Sequence, residues 1–219
     1  MEEKTFIDGH EYVDLELPGG VLWATCNIGA NCPEEYGDYF AWGEIQPKEE
    51  YSPASYMHCK EKMTGLTKYC TSAINGDWGF TDNKIELLPE DDAAAANWGG
   101  KWRMPTIWLC RNLVDSELTI TEWTTQNGVY GRKITSKRNG RSIFLPAAGY
   151  RFGTNLDGVG QHGDYWSRTL RIDAPIPIDY EADMLRISQA PIDYDLDMWK
   201  NCSREYGLCI RPVCFRDED

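Results

Sequence analysis

Carboxylates and tyrosines recur near the C-terminus at a regular spacing. Pro177-Ile178-Asp179-Tyr180-Glu181-Ala182-Asp183-Met184 returns 14 residues later as Pro191-Ile192-Asp193-Tyr194-Asp195-Leu196-Asp197-Met198. Acids at this density could gather a hard cation such as calcium through their oxygens. Asp193-x-Asp195-x-Asp197 copies the opening of an EF-hand loop. That loop fails further on, because Met198 and Arg204 stand where it needs Gly and Glu. A calcium site of another shape from Asp179, Asp183, Asp193 and Asp195 stays open, as does a purely solvated acidic run. Without a cation, the Asp-Tyr pairs make a recognition surface: tyrosine supplies contact area at low entropic cost and the acids select charge. The even offset would turn both copies toward one side of an extended chain. Pro175, Pro177 and Pro191 keep them out of central ladders. The expected ligand-contacting set is Arg168, Leu170, Arg171, Asp173, Asp179, Tyr180, Glu181, Asp183, Asp193, Tyr194, Asp195, Asp197, Trp199, Lys200 and Arg204.

Other chemistry is sparse. Cys26, Cys32, Cys59, Cys70, Cys110, Cys202, Cys209 and Cys214 contain no Cys-x-x-Cys. Cys202 and Cys209 flank a turn at Tyr206-Gly207, which leaves both a local disulfide and reduced thiols open. His10, His58 and His162 are far apart in loop-like sequence and have no metal or triad spacing. Gly99-Gly100, Gly158 and Gly160 punctuate turns and form no phosphate cradle. No catalytic residue, metal or cofactor is expected. A net charge of -13 and a pI near 4.7 repel phosphate backbones, so nucleic acid and anionic membrane are poor partners. No apolar run approaches the roughly 18 residues of a spanning helix, and the opening residues do not read as a signal peptide.

The elements that must position these groups follow from periodicity and turn chemistry. With 219 residues, 42% hydrophobic, nine Trp and twelve Tyr, the chain can bury a real core. Residues 11–17 alternate as a strand that ends in Pro18-Gly19-Gly20, and residues 21–28 read as a second strand. Residues 33–44 are an aromatic-rich irregular segment, and residues 45–90 form a long surface excursion. Glu90-Asp91-Asp92 starts a helix at Ala93 that Gly99-Gly100 ends. Thr106 caps a second helix, with Trp108, Leu109, Leu113 and Val114 on one side. Strands over 122–125, 130–135 and 142–145 are joined at Asn127-Gly128 and Asn139-Gly140, both hairpin signals. The order gives an α+β fold with two short helices, several antiparallel strands and much irregular loop. Residues 1–10 read as a tail, 11–164 as a frame, 165–214 as a display segment within a domain over 11–216, and 217–219 as an acidic tail. Trp23, Trp42, Trp98, Trp102 and Trp123 are expected in or near the core.

Several strings together carry a resemblance. They include Leu22-Trp23-Ala24-Thr25-Cys26-Asn27, Tyr39-Phe40-Ala41-Trp42-Gly43-Glu44, Trp98-Gly99-Gly100-Lys101-Trp102-Arg103-Met104-Pro105-Thr106, Trp123-Thr124-Thr125-Gln126-Asn127-Gly128, Tyr165-Trp166-Ser167 and Arg211-Pro212-Val213. In this order the chain resembles the Fibrobacter succinogenes major paralogous domain family over residues 11–214. The resemblance implies a C-type-lectin-like fold related to formylglycine-generating enzymes and to the variable proteins of diversity-generating retroelements. In the retroelement-linked members, variation falls between a Tyr-Trp-Ser and an Arg-Pro-Val motif, here between Ser167 and Arg211. The expected function is therefore a non-enzymatic adhesin or receptor-binding module that takes a protein or cell-surface ligand, one of cationic character. It would act at the cell surface, outside the cell or on a phage virion. Two alternatives accompany it. One is a cysteine-dependent oxidase like the formylglycine-generating enzymes, using Cys202, Cys209 or Cys214, although the string around them does not match that family's active site. The other is a structural surface or phage-tail component without a specific ligand. The sugar and calcium motifs of true C-type lectins are absent.

Overall fold

The computed structural model describes residues 5–60, 62–171, 174–190 and 199–216. The chain opens with β1 (Thr5–Ile7), β2 (His10–Val13) and β3 (Val21–Ala24), then crosses a long irregular stretch to the ribbon β4 (Cys59–Lys60) and β5 (Lys62–Leu66). Helix α1 (Ala93–Trp98), β6 (Trp102–Arg103) and helix α2 (Ile107–Val114) follow. The second half holds β7 (Thr119–Gln126), β8 (Val129–Ser136), β9 (Ser142–Pro146), the ribbon β10 (Tyr150–Phe152) and β11 (Asn155–Asp157), and the long β12 (His162–Leu170). It ends with β13 (Glu181–Ser188), β14 (Trp199–Ser203) and β15 (Val213–Phe215). Every ladder between these strands is antiparallel, and two short α-helices complete an α+β fold among the described residues.

The local signals act as their chemistry requires. Asp92 caps α1, its carboxylate accepting from the amides of Ala94 and Ala95 at 2.9 and 3.0 Å and from Met104 N, and Gly99 closes the helix at φ 69°. Thr106 Oγ1 accepts from Leu109 N. Asn127 and Gly128 take φ of 48° and 83°, the pair of positive angles a tight hairpin turn needs, and β7 pairs with β8 over its whole length. The α2 stripe differs from expectation at one residue: Trp108 faces solvent, and Ile107 and Cys110 join Leu109, Leu113 and Val114 inside. The first two strands stop earlier than the alternation suggests, at Val13 and Ala24, because Glu16 turns to φ 51° and the backbone after Ala24 wraps around the Arg211 side chain.

Three sheets position the site. One runs β1-β2-β3-β15-β6, so the last strand pairs between the third and the sixth. The β12-β13-β14 meander separates two apolar clusters: Leu185 and Ile187 pack in one with α2, while Ala182 and Met184 pack in the other with Phe40, Trp42 and Trp166. The β7-β8-β9 sheet contributes Ile134, Ile143 and Leu145 to the first cluster. Trp23, Trp42 and Trp102 are buried as expected, whereas Trp98 and Trp123 are half-buried. Two indoles cross-link the halves: Trp42 Nε1 donates to Ser167 O at 2.9 Å and Trp166 Nε1 to Phe40 O at 2.8 Å.

Candidate ligand-binding surface

Arg204 is fully buried just after β14. Its Nε donates to the Tyr56 hydroxyl at 2.9 Å, Nη1 to the carbonyls of Tyr69 and Asp179 at 3.2 and 3.0 Å, and Nη2 to Lys68 O at 3.1 Å. The guanidinium also lies 4.8 Å from the Trp42 ring centroid. A buried cation is tolerable only when its donors find acceptors, and these are supplied by backbone of the 68–69 loop and of the turn before β13. Arg204 therefore ties the start of β13 to a loop more than a hundred residues upstream.

Asp179 makes the second tie. Its carboxylate accepts from Thr71 Oγ1 at 2.6 Å, Ser72 N at 2.9 Å and Asn75 Nδ2 at 3.1 Å, with Cys70 Sγ at 3.6 Å. Asn75 Nδ2 also donates to Pro177 O at 3.1 Å. The loop over 71–80 and the turn over 174–180 are thereby joined into one base.

On that base the large apolar side chains point outward. Trp78 is 97% exposed, Ile74 85% and Ile176 66%, with Phe80 and Ile85 partly open. Trp78 holds φ 50°, a conformation that costs an L-residue about 1–2 kcal/mol. Gly76 is required beneath it, because a Cβ there would overlap the carbonyl of Phe80. Backbone bonds from Leu66 N to Asn75 O, Gly79 N to Gly76 O and Phe80 N to Asp77 O keep the loop ordered, and Lys60 pairs with Asp77 at 2.6 Å. These exposed apolar groups sit on hydrogen-bonded loops, where an ordered side chain can serve contact.

No family model, curated protein or solved structure matches this chain.

The expected ligand-contacting residues divide into three groups. Leu170, Asp179 and Arg204 are corrected: all three are buried, Leu170 in apolar packing and the other two in the ties above, so they build the surface from below. Arg168, Arg171, Tyr180, Glu181 and Asp183 are half-buried near the end of β12 and the start of β13. There Arg168 pairs with Glu86 at 2.6 Å and Arg171 with Glu181, so the charges expected to border an acidic patch neutralise neighbours. Asp173, Asp193, Tyr194, Asp195 and Asp197 lie outside the described residues, and Trp199 and Lys200 open β14 opposite Leu185 and Met184.

The first copy of the duplication, 177–184, spans a turn and the start of β13, and the second copy, 191–198, lies outside the described residues. At the far end of β13 Arg132, buried in β8, donates to the carbonyls of Ser188 and Ala190.

Sequence reading missed Ile74, Trp78 and Phe80, which fell in the stretch taken as an undivided excursion. The usable signal was Trp78 between Gly76 and Gly79, an aromatic set between two turn glycines. The eight cysteines are all free, which removes the Cys202–Cys209 bridge: Cys202 sits on β14 opposite Ala182, while Cys209 is buried beyond the turn with its Sγ directed to Tyr36 O. Burial pushes the thiols of Cys202 and Cys209 up, and that of Cys110 to about 12. No group of three or more His, Cys, Asp or Glu suited to a metal ion occurs among the described residues, and none of their helices is long and apolar enough to cross a membrane. A groove of about 1150 Å³ along β1, β2 and Phe215 is lined by none of the expected residues.

Proposed function

We propose that this chain is a non-enzymatic ligand-binding module on a C-type-lectin-like frame, of the Fibrobacter succinogenes major paralogous domain kind, taking a protein or cell-surface ligand. It serves as an adhesin or receptor-binding element at a cell surface, outside the cell or on a phage particle, with retroelement-driven variation between Ser167 and Arg211. The observation that carries this reading is the exposed apolar set Ile74, Trp78 and Ile176 on two loops tied together through Asp179 and Asn75. An ordered aromatic anchor costs little entropy on binding and supplies the contact area on which hot spots depend. The frame assignment is supported by the interlocking of the strings behind the resemblance: the Trp42 and Trp166 indoles bond across it, and Arg211 donates to Asn27 Oδ1 at 2.8 Å and Thr25 O at 2.7 Å. Raised thiols disfavour the thiolate that cysteine-based oxidation uses, which favours binding over the oxidase alternative.

Two measurements test it. Chain carrying Trp78→Ala with Ile176→Ser is compared with wild type on arrays of cell-surface glycans and extracellular proteins. Saturable binding by wild type that the variant loses is expected; no saturable binding on either array overturns the proposal. Sequencing of sister genes should find substitutions concentrated at 168–201 and sparing Leu170 and Asp179 within it. Equal variation throughout the frame removes the diversification part.

A further inference from the structure

The cleft bounded by Tyr39, Tyr51 and Arg151 is separate from the loop surface. It has a volume of about 450 Å³, within the roughly 300–1000 Å³ usual for small-molecule sites. Both rings are buried and held by their far ends: Tyr39 donates its hydroxyl to Ala148 O at 2.6 Å and Tyr51 to the backbone oxygen of Tyr39. The backbone around Arg151 is equally fixed. Arg151 N donates to Gly207 O at 2.8 Å and Arg151 O accepts from Gly207 N at 3.0 Å, while Tyr51 and Gly153 exchange bonds of 2.7 and 2.8 Å. Gly207 has no room for a Cβ against the Tyr51 ring, so the packing behind that wall is tight.

Asp38, Lys48, Glu49 and Arg151 bring charge to this cleft. Arg151 holds its guanidinium 5.1 Å from the centroid of the Tyr39 ring, yet that group makes no hydrogen bond or ion pair with any described residue. The Asp38 carboxylate lines the same cleft and is likewise without a hydrogen-bond partner among them. Lys48, also on the cleft, is occupied by Glu44 at 2.8 Å and Ser55 O at 2.9 Å. A planar guanidinium held over an anchored ring presents its fork of donors to a carboxylate. Asp38 and Glu49 oppose a simple anion, and Arg151 opposes a simple cation. A ligand that carries both charges satisfies both groups.

We propose that this cleft binds a small zwitterion of the α-amino acid class, its carboxylate on Arg151 and its ammonium on Asp38. The full chain is titrated calorimetrically with the common L-α-amino acids singly, then with the N-acetyl and methyl ester forms of whichever binds. Saturable binding in the millimolar range or tighter is expected, weakened about tenfold or more when either charge is blocked and in Arg151→Ala, as for loss of one charge-assisted contact. Asp38→Asn should weaken the free amino acid while leaving the N-acetyl form unchanged. Thermal unfolding checks that each variant is folded; if Arg151→Ala is not, the Asp38→Asn comparison decides. Absence of saturable binding by every amino acid, binding indifferent to both substitutions, or equal binding of the N-acetyl form overturns the proposal.

Discussion

Replacing Arg204 by Met keeps most of the buried volume and removes the charge and all four donations. The carbonyls of Lys68, Tyr69 and Asp179 and the Tyr56 hydroxyl then lose their partner in the interior. Each unsatisfied buried group costs about 1–3 kcal/mol, so the gross loss is roughly 4–12 kcal/mol. Against this stands relief from holding a guanidinium out of water, several kcal/mol. The net expectation is a destabilisation of about 3–5 kcal/mol, a large share of the 5–15 kcal/mol typical of a folded domain. Arg204→Lys keeps charge but cannot reach acceptors on four sides, so it should recover less than half of the loss. The assay is urea unfolding followed by Trp fluorescence, with the midpoint shift read at constant slope. Hydrogen exchange should show the amides of Ser72 and Asn75 opening well below the global free energy in Arg204→Met. A loss under about 1 kcal/mol would refute the reasoning, because it would mean that water or repacking satisfies the acceptors as well as Arg204 does.

Three further outcomes are expected. Asp179→Ala frees Thr71, Ser72 and Asn75 at once and should cost about 2–4 kcal/mol in urea unfolding, with the loop over 71–80 becoming the first site of proteolysis; an unchanged midpoint excludes the tie. Trp78→Gly should exceed Trp78→Ala in stability by about 1 kcal/mol, since glycine has no penalty at φ 50°, while both lose array binding; equal midpoints would show that the backbone there carries no strain. Burial holds His10 and His58 below their ordinary 6.5, so the fold binds fewer protons than the unfolded chain, and stability should fall as pH drops below about 6.5. His58→Gln should remove part of that fall in urea midpoints between pH 7.5 and 5.5. Glu205, whose carboxyl burial pushes up, works in the opposite sense toward lower pH, so Glu205→Gln should steepen it. A midpoint that rises on acidification of wild type contradicts the sign.

Sequence by itself determined the parts whose physics is local. Asp92 and Thr106 cap helices because a short oxygen beside free amides needs no tertiary context, and Asn127-Gly128 turns a hairpin because its backbone angles are intrinsic. Trp23, Trp42 and Trp102 could be placed in the core because so large an apolar area is costly to leave in water. Tertiary structure decided which charged residues are scaffold. Nothing local distinguishes Arg204 from Arg168 or Asp179 from Glu181: two are buried among backbone acceptors and donors brought from residues 68–75, and two sit in part-open ion pairs. It also decided that the first Asp-Tyr copy lies in a turn before β13, where a period-two rule does not apply because that rule needs one continuous strand. Trp78 shows the limit from the other side. It falls in a stretch read only as a surface excursion, and the packing of Gly76 against Phe80 and the left-handed turn at Trp78 itself direct the ring into solvent, an outcome that depends on loop geometry that no periodicity encodes.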